Sequence, residues 1–436
     1  MTRMRSGPGR TTIPRIETRM KSTLSTLSTS QSPARPASRW PQVAVTAVFV
    51  VHGLLFASWT AHIPGVQDHL GLTYGTLGIA LLGAPIGSVC AMVASSWLIP
   101  RLGSRRVVQI ALAGYCATGP LVGLCASLPA LMAALLVWGA FQGSLDVAMN
   151  TQGITAERGS GRMLMSGLHG SWSIGSFAGA GIGALAVGAG ITLAPQLLVL
   201  GTLALLAGGL LTTRMLSGAR PRAAGQPHDT GNPALRAASR WSGGMAMLGA
   251  IAFASMLCEG AAANWSSVYL SGPLHARGAV PGLAYAAFAL AMLAVRLSGN
   301  RLLSRYRADR LLPALAAAAT AGFTAALLIA TPAAALAGFA CLGIGLASVV
   351  PAAYSAAGRI EGLHPGTAVA TAAACGWAGY VCGPPLIGRL AATASLPAAL
   401  ALLPALTAFI VIATAAARGL KPRHHSHLAA GTRASR

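Results

Sequence analysis

The sequence predicts an all-α integral membrane protein whose twelve transmembrane helices form two pseudo-symmetric six-helix bundles. Three observations lead there. First, hydrophobic residues make up 54% of the 436-residue chain and charged residues 9%, with a mean hydropathy of +0.63; soluble domains carry about 25% charged residues. Second, the apolar residues gather into runs of roughly 20, long enough at ~1.5 Å per residue to cross a ~30 Å hydrocarbon core and unlike the alternating ~10-residue strands of a barrel. Third, all but two of the 31 basic residues, Arg277 and Arg389, fall in the tails and in alternate loops. By the positive-inside rule that side is cytoplasmic and holds both termini, so the number of spans is even.

In chain order, residues 1–41 are rich in Ser, Thr, Arg and Pro with one acid, Glu17, and read as a disordered basic cytoplasmic tail. No apolar stretch precedes Val43, so a cleaved secretory signal is not expected. Six runs follow near 43–63, 75–98, 107–128, 130–153, 165–188 and 191–213, the first bundle (42–214). The polar, Pro/Gly-rich segment 215–242 reads as a cytoplasmic linker. Six more runs near 244–270, 281–303, 311–330, 333–356, 367–389 and 396–417 make the second bundle (243–418), and 419–436 is a cytoplasmic tail. The divisions at Pro129 and Pro332 rest on a single proline each.

The halves echo one another at an offset of about 204 residues. Gly175-Ser-Phe-Ala-Gly179-Ala answers Gly379-Tyr-Val-Cys-Gly383-Pro, and Arg101 and Arg106 answer Arg305 and Arg310. The glycine pairs read as close helix contacts. Parallel repeats joined by a linker are the organisation of a secondary transporter with its solute site at the midplane.

The net charge of +23 suggests nucleic acid, but basic residues confined to loops and tails exclude that partner. Only two of them are Lys, which points to a GC-rich bacterial genome and hence to a bacterial cytoplasmic (inner) membrane. The seven cysteines lie in apolar runs without metal or disulfide spacing, and His424, His425 and His427 belong to a polar tail. No GxxxxGK[ST] string is present, so ATP is not the direct driver. No catalytic constellation, cofactor or metal is expected, and the protein is not an enzyme.

The stretch most demanding of explanation runs from Leu136 to Ala180. Gln142, Asp146 and Asn150 form an i, i+4, i+8 polar stripe, followed by a short loop carrying Glu157, Arg158 and Arg162. A carboxylate inside such a helix costs about 2.5–3.5 kcal/mol unless it faces protein or a watery cavity. Asp146, Glu259 and His169 are the proton-coupling candidates, with His169 alternatively a structural partner of Asp146. Gln142, Asn150 and Asn264 could hydrogen-bond a polar solute or serve as interhelical glue. Trp59, Trp172, Trp265 and Trp377 suit stacking on a sugar-like ring, or packing and interface anchoring; Tyr354 joins them as a cavity candidate. His62 and Asp68 are expected in solvent at the outer end of span 1, where His52, Phe56 and Thr60 share a face.

PRLGSRR (Pro100 to Arg106) and GNRLLSRYRADR (Gly299 to Arg310) resemble the paired basic loops of the major facilitator superfamily, over nearly all of residues 42–418. Each lacks the acid usual there, at Pro100 and Asn300. The resemblance implies cytoplasmic gating loops with Arg101, Arg106, Arg301 and Arg305, alternating access, and a cavity lined by spans 1, 4, 7 and 10. Asp146-Val-Ala-Met-Asn150 is similar to the span-4 motif of the fucose-permease-like branch, where the acid is implicated in proton coupling; Thr60 stands where that permease has a second acid. ASWTAHIP, DVAMNTQG, LHGSWSIG, CEGAAANWSSVYL and GPPLIG look like a bacterial inner-membrane subgroup of unassigned substrate. The expectation is a monomeric, symport-type carrier of a sugar or sugar-like solute with protons, its loop arginines meeting lipid. The alternatives are an efflux pump for metabolites or drugs and a non-transporting sensor or scaffold.

Overall fold

The computed structural model describes residues 2, 39–217, 243–360 and 363–419, without the side chains of 299–304, 308–309 and 417–419. Most of the expected tails and linker, and the Arg301 side chain, therefore lie outside the described residues. Met1–Arg39 separates as one unit from Trp40–Arg436, and the helices belong to the latter.

Among the described residues the fold is helical throughout. In hydrocarbon each backbone amide must be satisfied within its own segment, which selects helices. Ten helices among the described residues are long and apolar enough to cross a membrane: Trp40–Thr60, Tyr74–Leu102, Leu128–Ser160, Met165–Gly188, Leu193–Thr212, Gly243–Ser271, Val280–Ser298, Arg310–Ile329, Pro332–Ala357 and Leu396–Ala416. Two more, Ser104–Val122 and Pro365–Thr393, complete the twelve. They are less apolar because the first opens on Arg105 and Arg106 and the second is rich in Gly, Ala and Thr. In chain order these are spans 1 to 12. Leu206, Leu210 and Leu328 are 69–81% exposed, the outward apolar surface that lipid covers.

Pro129 and Pro332 do mark helix starts. Ser127 caps span 4 and Thr331 caps span 10, each hydroxyl accepting from an amide three residues on, with proline in the first turn where no donor is lost. Span 4 runs further than the sequence suggested. Glu157 and Arg158 sit in its last turn rather than in a loop, and the helix ends at Gly161, whose φ of +65° suits glycine. Glu157 then accepts the amides of Leu164 and Met165 at 2.6 and 2.9 Å, so its carboxylate caps span 5 across the turn.

Helix pairing repeats between the halves. Span 1 packs on spans 5 and 6, span 2 on 4, and span 3 on 4 and 6; span 7 packs on 11 and 12, span 8 on 10, and span 9 on 10 and 12. Between halves, span 5 meets span 8 and span 2 meets span 11, again a symmetric exchange. The glycine pairs sit at these crossings. A Cβ at Gly175 or Gly179 would strike the carbonyl of Val50 or Leu54, and one at Gly379 the carbonyl of Phe253. Gly383 is looser, its Cβ position 3.5 Å from the Leu257 carbonyl. Where the halves touch, a Cβ at Gly78 would come within 2.6 Å of the Pro384 carbonyl.

Candidate functional site

A cavity of about 190 Å³ lies between the halves. His52, Phe56, Trp59, Trp138, Gln142, Asp146 and Trp172 form its N-terminal wall. Glu259, Asn264, Tyr285, Trp377 and Tyr380 form the facing wall. Both acids are deep. Asp146 is about 27 Å of helix from Leu128 and about 21 Å from Ser160; Glu259 is about 24 Å from Gly243 and about 18 Å from Ser271.

The predicted stripe on span 4 divides its labour. Gln142 and Asp146 face the cavity, whereas Asn150 does not line it. One turn on, Asn150 donates its amide to the backbone oxygen of Asp146 at 2.8 Å and to its carboxylate Oδ1 at 3.2 Å. Asn150 is thus a brace for the acid.

The rest of that wall is aromatic. Trp172 donates its indole N–H to His52 Nδ1 at 2.8 Å. Indole is only a donor, so Nδ1 carries no proton and the neutral imidazole holds its proton on Nε2, which is buried beside the Gln142 backbone without a hydrogen bond of full geometry. The His52 ring stacks on Tyr115 (5.8 Å), and Tyr115 on Trp138 (5.0 Å). Trp138 donates to the Tyr115 carbonyl at 3.1 Å and meets Trp59 edge-on. Phe56 bridges Trp172 and, across the halves, Tyr285 at 6.3 and 6.2 Å.

On the facing wall Glu259 has no hydrogen bond to any described residue. Asn264 donates to the Gly260 carbonyl of its own helix at 2.8 Å, and Trp377 meets Tyr380 at 5.6 Å. The charge of Arg296 reaches Glu259, His169 and Tyr285. The charge pattern of the sequence groups Arg296 with the cytoplasmic loop arginines, but it stands inside span 8, about 13 Å of helix before Arg305. It donates Nη1 to Ser173 Oγ of span 5 at 3.0 Å and Nε to the Ala347 carbonyl at 3.3 Å, where span 10 is interrupted. It therefore ties the two halves. Its position within the apolar run 281–303 was the available signal.

Several expected cavity residues lie elsewhere. Trp265 is fully buried against Tyr74. Thr60 is buried, its hydroxyl donating to the Ala57 carbonyl, while its own carbonyl accepts from Ser267 Oγ of the other half at 2.6 Å. His169 packs edge-on against Phe49 and lies near Arg296; the partner bonded to Asp146 is Asn150. Tyr354 packs toward Gly376 of span 11. Span 10 supplies no lining residue, so the cavity is lined from spans 1, 2, 4, 5, 7, 8 and 11 rather than from 1, 4, 7 and 10. His62 is buried, not solvated, and bonds Gln196 at 2.7 Å; Asp68 is exposed as expected. Of the loop arginines, Arg101 lies over the Trp97 ring at 3.6 Å, and Arg106 and Arg305 are exposed. Among the described residues no group of His, Cys, Asp and Glu could hold a metal ion.

No family model matches the chain. It is 35% identical over 364 residues to an uncharacterized MFS-type transporter of Yersinia pestis, covering 82% of this chain and 91% of that relative. It is 30% identical over 371 residues to the membrane protein MosC of Rhizobium meliloti, covering 84% and 87%. Among solved structures it resembles the nucleoside transporter NupG with a TM-score of 0.66 at 12% identity, over 86% of this chain and 98% of that one. A bacterial homologue of the lysosomal transporter Spinster, inward-facing, gives 0.60 at 15% identity, over 88% and 96%. At such identities the structural likenesses speak for fold alone.

Proposed function

The chain belongs to the major facilitator superfamily of transporters, and from that premise we propose that it carries a small polar, ring-bearing solute by alternating access, coupled to protons through Asp146. The observation that supports this most is Asp146 itself: a mid-membrane acid, braced by Asn150, at the edge of a cavity between two repeated halves. In this reading Asp146 takes up a proton, and its neutral form permits one half of the cycle. Gln142 and Asn264 offer hydrogen bonds to solute hydroxyls, and Trp59, Trp172 and Trp377 offer faces for a sugar-like ring.

The halves rock about the cavity. Ser267 to Thr60 ties them near one end and Arg296 to Ser173 nearer the other, so opening either side breaks one of these bonds. The arginine-rich side, with both termini, is cytoplasmic in a bacterial inner membrane, its loop cations near lipid phosphates. The functional unit is a monomer.

A cavity of about 190 Å³ is below the roughly 300–1,000 Å³ of drug-sized pockets, which favours a small solute over bulky efflux substrates. The test is uptake into proteoliposomes. Asp146→Asn should abolish accumulation driven by a pH gradient while sparing counterflow exchange. Full accumulation by that variant would remove Asp146 from the coupling role.

A further inference from the structure

The charges around the cavity do not balance. Asp146 and Glu259 both line it, and none of the residues lining it is Lys or Arg. Arg296 acts on Glu259 from outside the lining, without a salt bridge among the described residues and with its guanidinium already donating to Ser173 and Ala347, so it offsets that carboxylate only in part. The titratable groups facing Glu259 from the packed spans are Tyr285, Tyr354 and Tyr380. None of these phenols supplies a positive charge. Across the cavity His52 is held neutral by the indole proton it accepts. With both acids ionised, net negative charge therefore stands in mid-membrane, part of it on Glu259, where it is costly.

We propose that the solute is an organic cation, a small ring bearing a protonated amine, whose ammonium group sits against Glu259. The proposal rests on the transporter reading and specifies its substrate class. Glu259 has free acceptor capacity because no described residue donates to it, whereas Asp146 is partly occupied by Asn150. The surrounding rings of Phe56, Trp172, Tyr285 and Trp377 add the electron-rich faces that attract ammonium groups in desolvated sites. An anionic solute would meet two carboxylates. A neutral one would leave the charge in place. A proton and the ammonium group satisfy the same deficit, so they compete, and the amine binds more tightly as pH rises.

Binding to the purified full-length protein in detergent tests this without any gradient. Thermal shift, which grows as RT ln(1 + [L]/Kd), is read for two series: glucosamine, glucose and glucuronate; and cyclohexylamine, cyclohexanol and cyclohexanecarboxylate. The amine of at least one series should bind about tenfold or more tighter than its neutral partner, and the acid least. That preference should shrink at lower pH, because protons and the ammonium group compete for the same carboxylates. It should vanish in Glu259→Gln and persist, weakened, in Glu259→Asp. A neutral or acidic member that binds as well as the amine, or no shift from either amine, overturns the proposal. Binding of the neutral members alone would leave the transporter reading standing, and failure of the Asp146→Asn uptake test would leave the amine preference intact.

Discussion

The two walls of the cavity come from the two repeated halves yet differ in how their polar groups are held. On the N-terminal wall Asp146 is braced by Asn150, while His52 accepts from Trp172 and Trp138 donates to the Tyr115 carbonyl within one stacked aromatic network. On the C-terminal wall Glu259 lacks a donor among the described residues, and the nearby cation, Arg296, is spent on the opposite half. A polar group bonded within its own half is held in one arrangement, and an acid without a donor is open to a second. The comparison casts the first wall as a fixed platform and the second as the surface whose charge state changes in the cycle.

The sharpest way to break that contrast is at Arg296. Arg296→Ala removes the tie to Ser173 and the only cation whose charge reaches Glu259 among the described residues. Transport should fall by tenfold or more, because the bond between the halves is lost and Glu259 is left without a nearby cation. If Arg296 acts through Glu259, adding Glu259→Gln should recover part of the melting temperature lost in Arg296→Ala, because the orphaned charge is then gone. A double variant that loses as much stability as the two single ones summed would show that Arg296 matters for packing alone.

A second test uses the repeat. Gly179 and Gly383 are equivalent positions, but a methyl group at Gly179 would strike the Leu54 carbonyl, whereas one at Gly383 meets ordinary contact at 3.5 Å. Gly179→Ala should cost about 1–3 kcal/mol through forced separation of spans 1 and 5. Gly383→Ala should be near neutral, since alanine's better helix propensity, up to ~1 kcal/mol, offsets mild crowding. Melting temperatures of the two purified variants give the comparison directly. Equal losses would mean that both walls rest on equally tight helix pairs.

Sequence made these elements legible to different degrees. Spans, their starts at Pro129 and Pro332, and the close crossings at Gly175, Gly179 and Gly379 could be read because they depend on local composition and spacing. The stripe of Gln142, Asp146 and Asn150 was visible for the same reason, although helical spacing could not separate the two cavity residues from the brace. The features that escaped depend on distant partners. His62 reads as a loop residue, yet Gln196, 134 positions away, buries it. Trp59 and Trp265 are alike as sequence, yet one faces the cavity and the other packs on Tyr74. Arg296 passes for a loop cation because more arginines follow it; its long side chain reaches a serine 123 positions away.

The smallest expected effect bears on whether the N-terminal wall is a platform at all. His52 lines the cavity near Asp146, which makes it an obvious rival as proton carrier. Its geometry argues otherwise: a proton on Nδ1 would replace the hydrogen bond from Trp172 with two donors facing each other. Charging His52 therefore breaks the wall. His52→Phe keeps a ring on Tyr115 and removes the Nδ1 acceptor together with the Nε2–H, leaving the Trp172 indole N–H without a partner, so it should lower stability by about 1–2 kcal/mol, the cost of an unsatisfied buried donor. Accumulation driven by a pH gradient should survive in proteoliposomes. If it is lost while counterflow remains, His52 belongs to the coupling machinery, and the division between a fixed and a responsive wall fails at its most buried polar group.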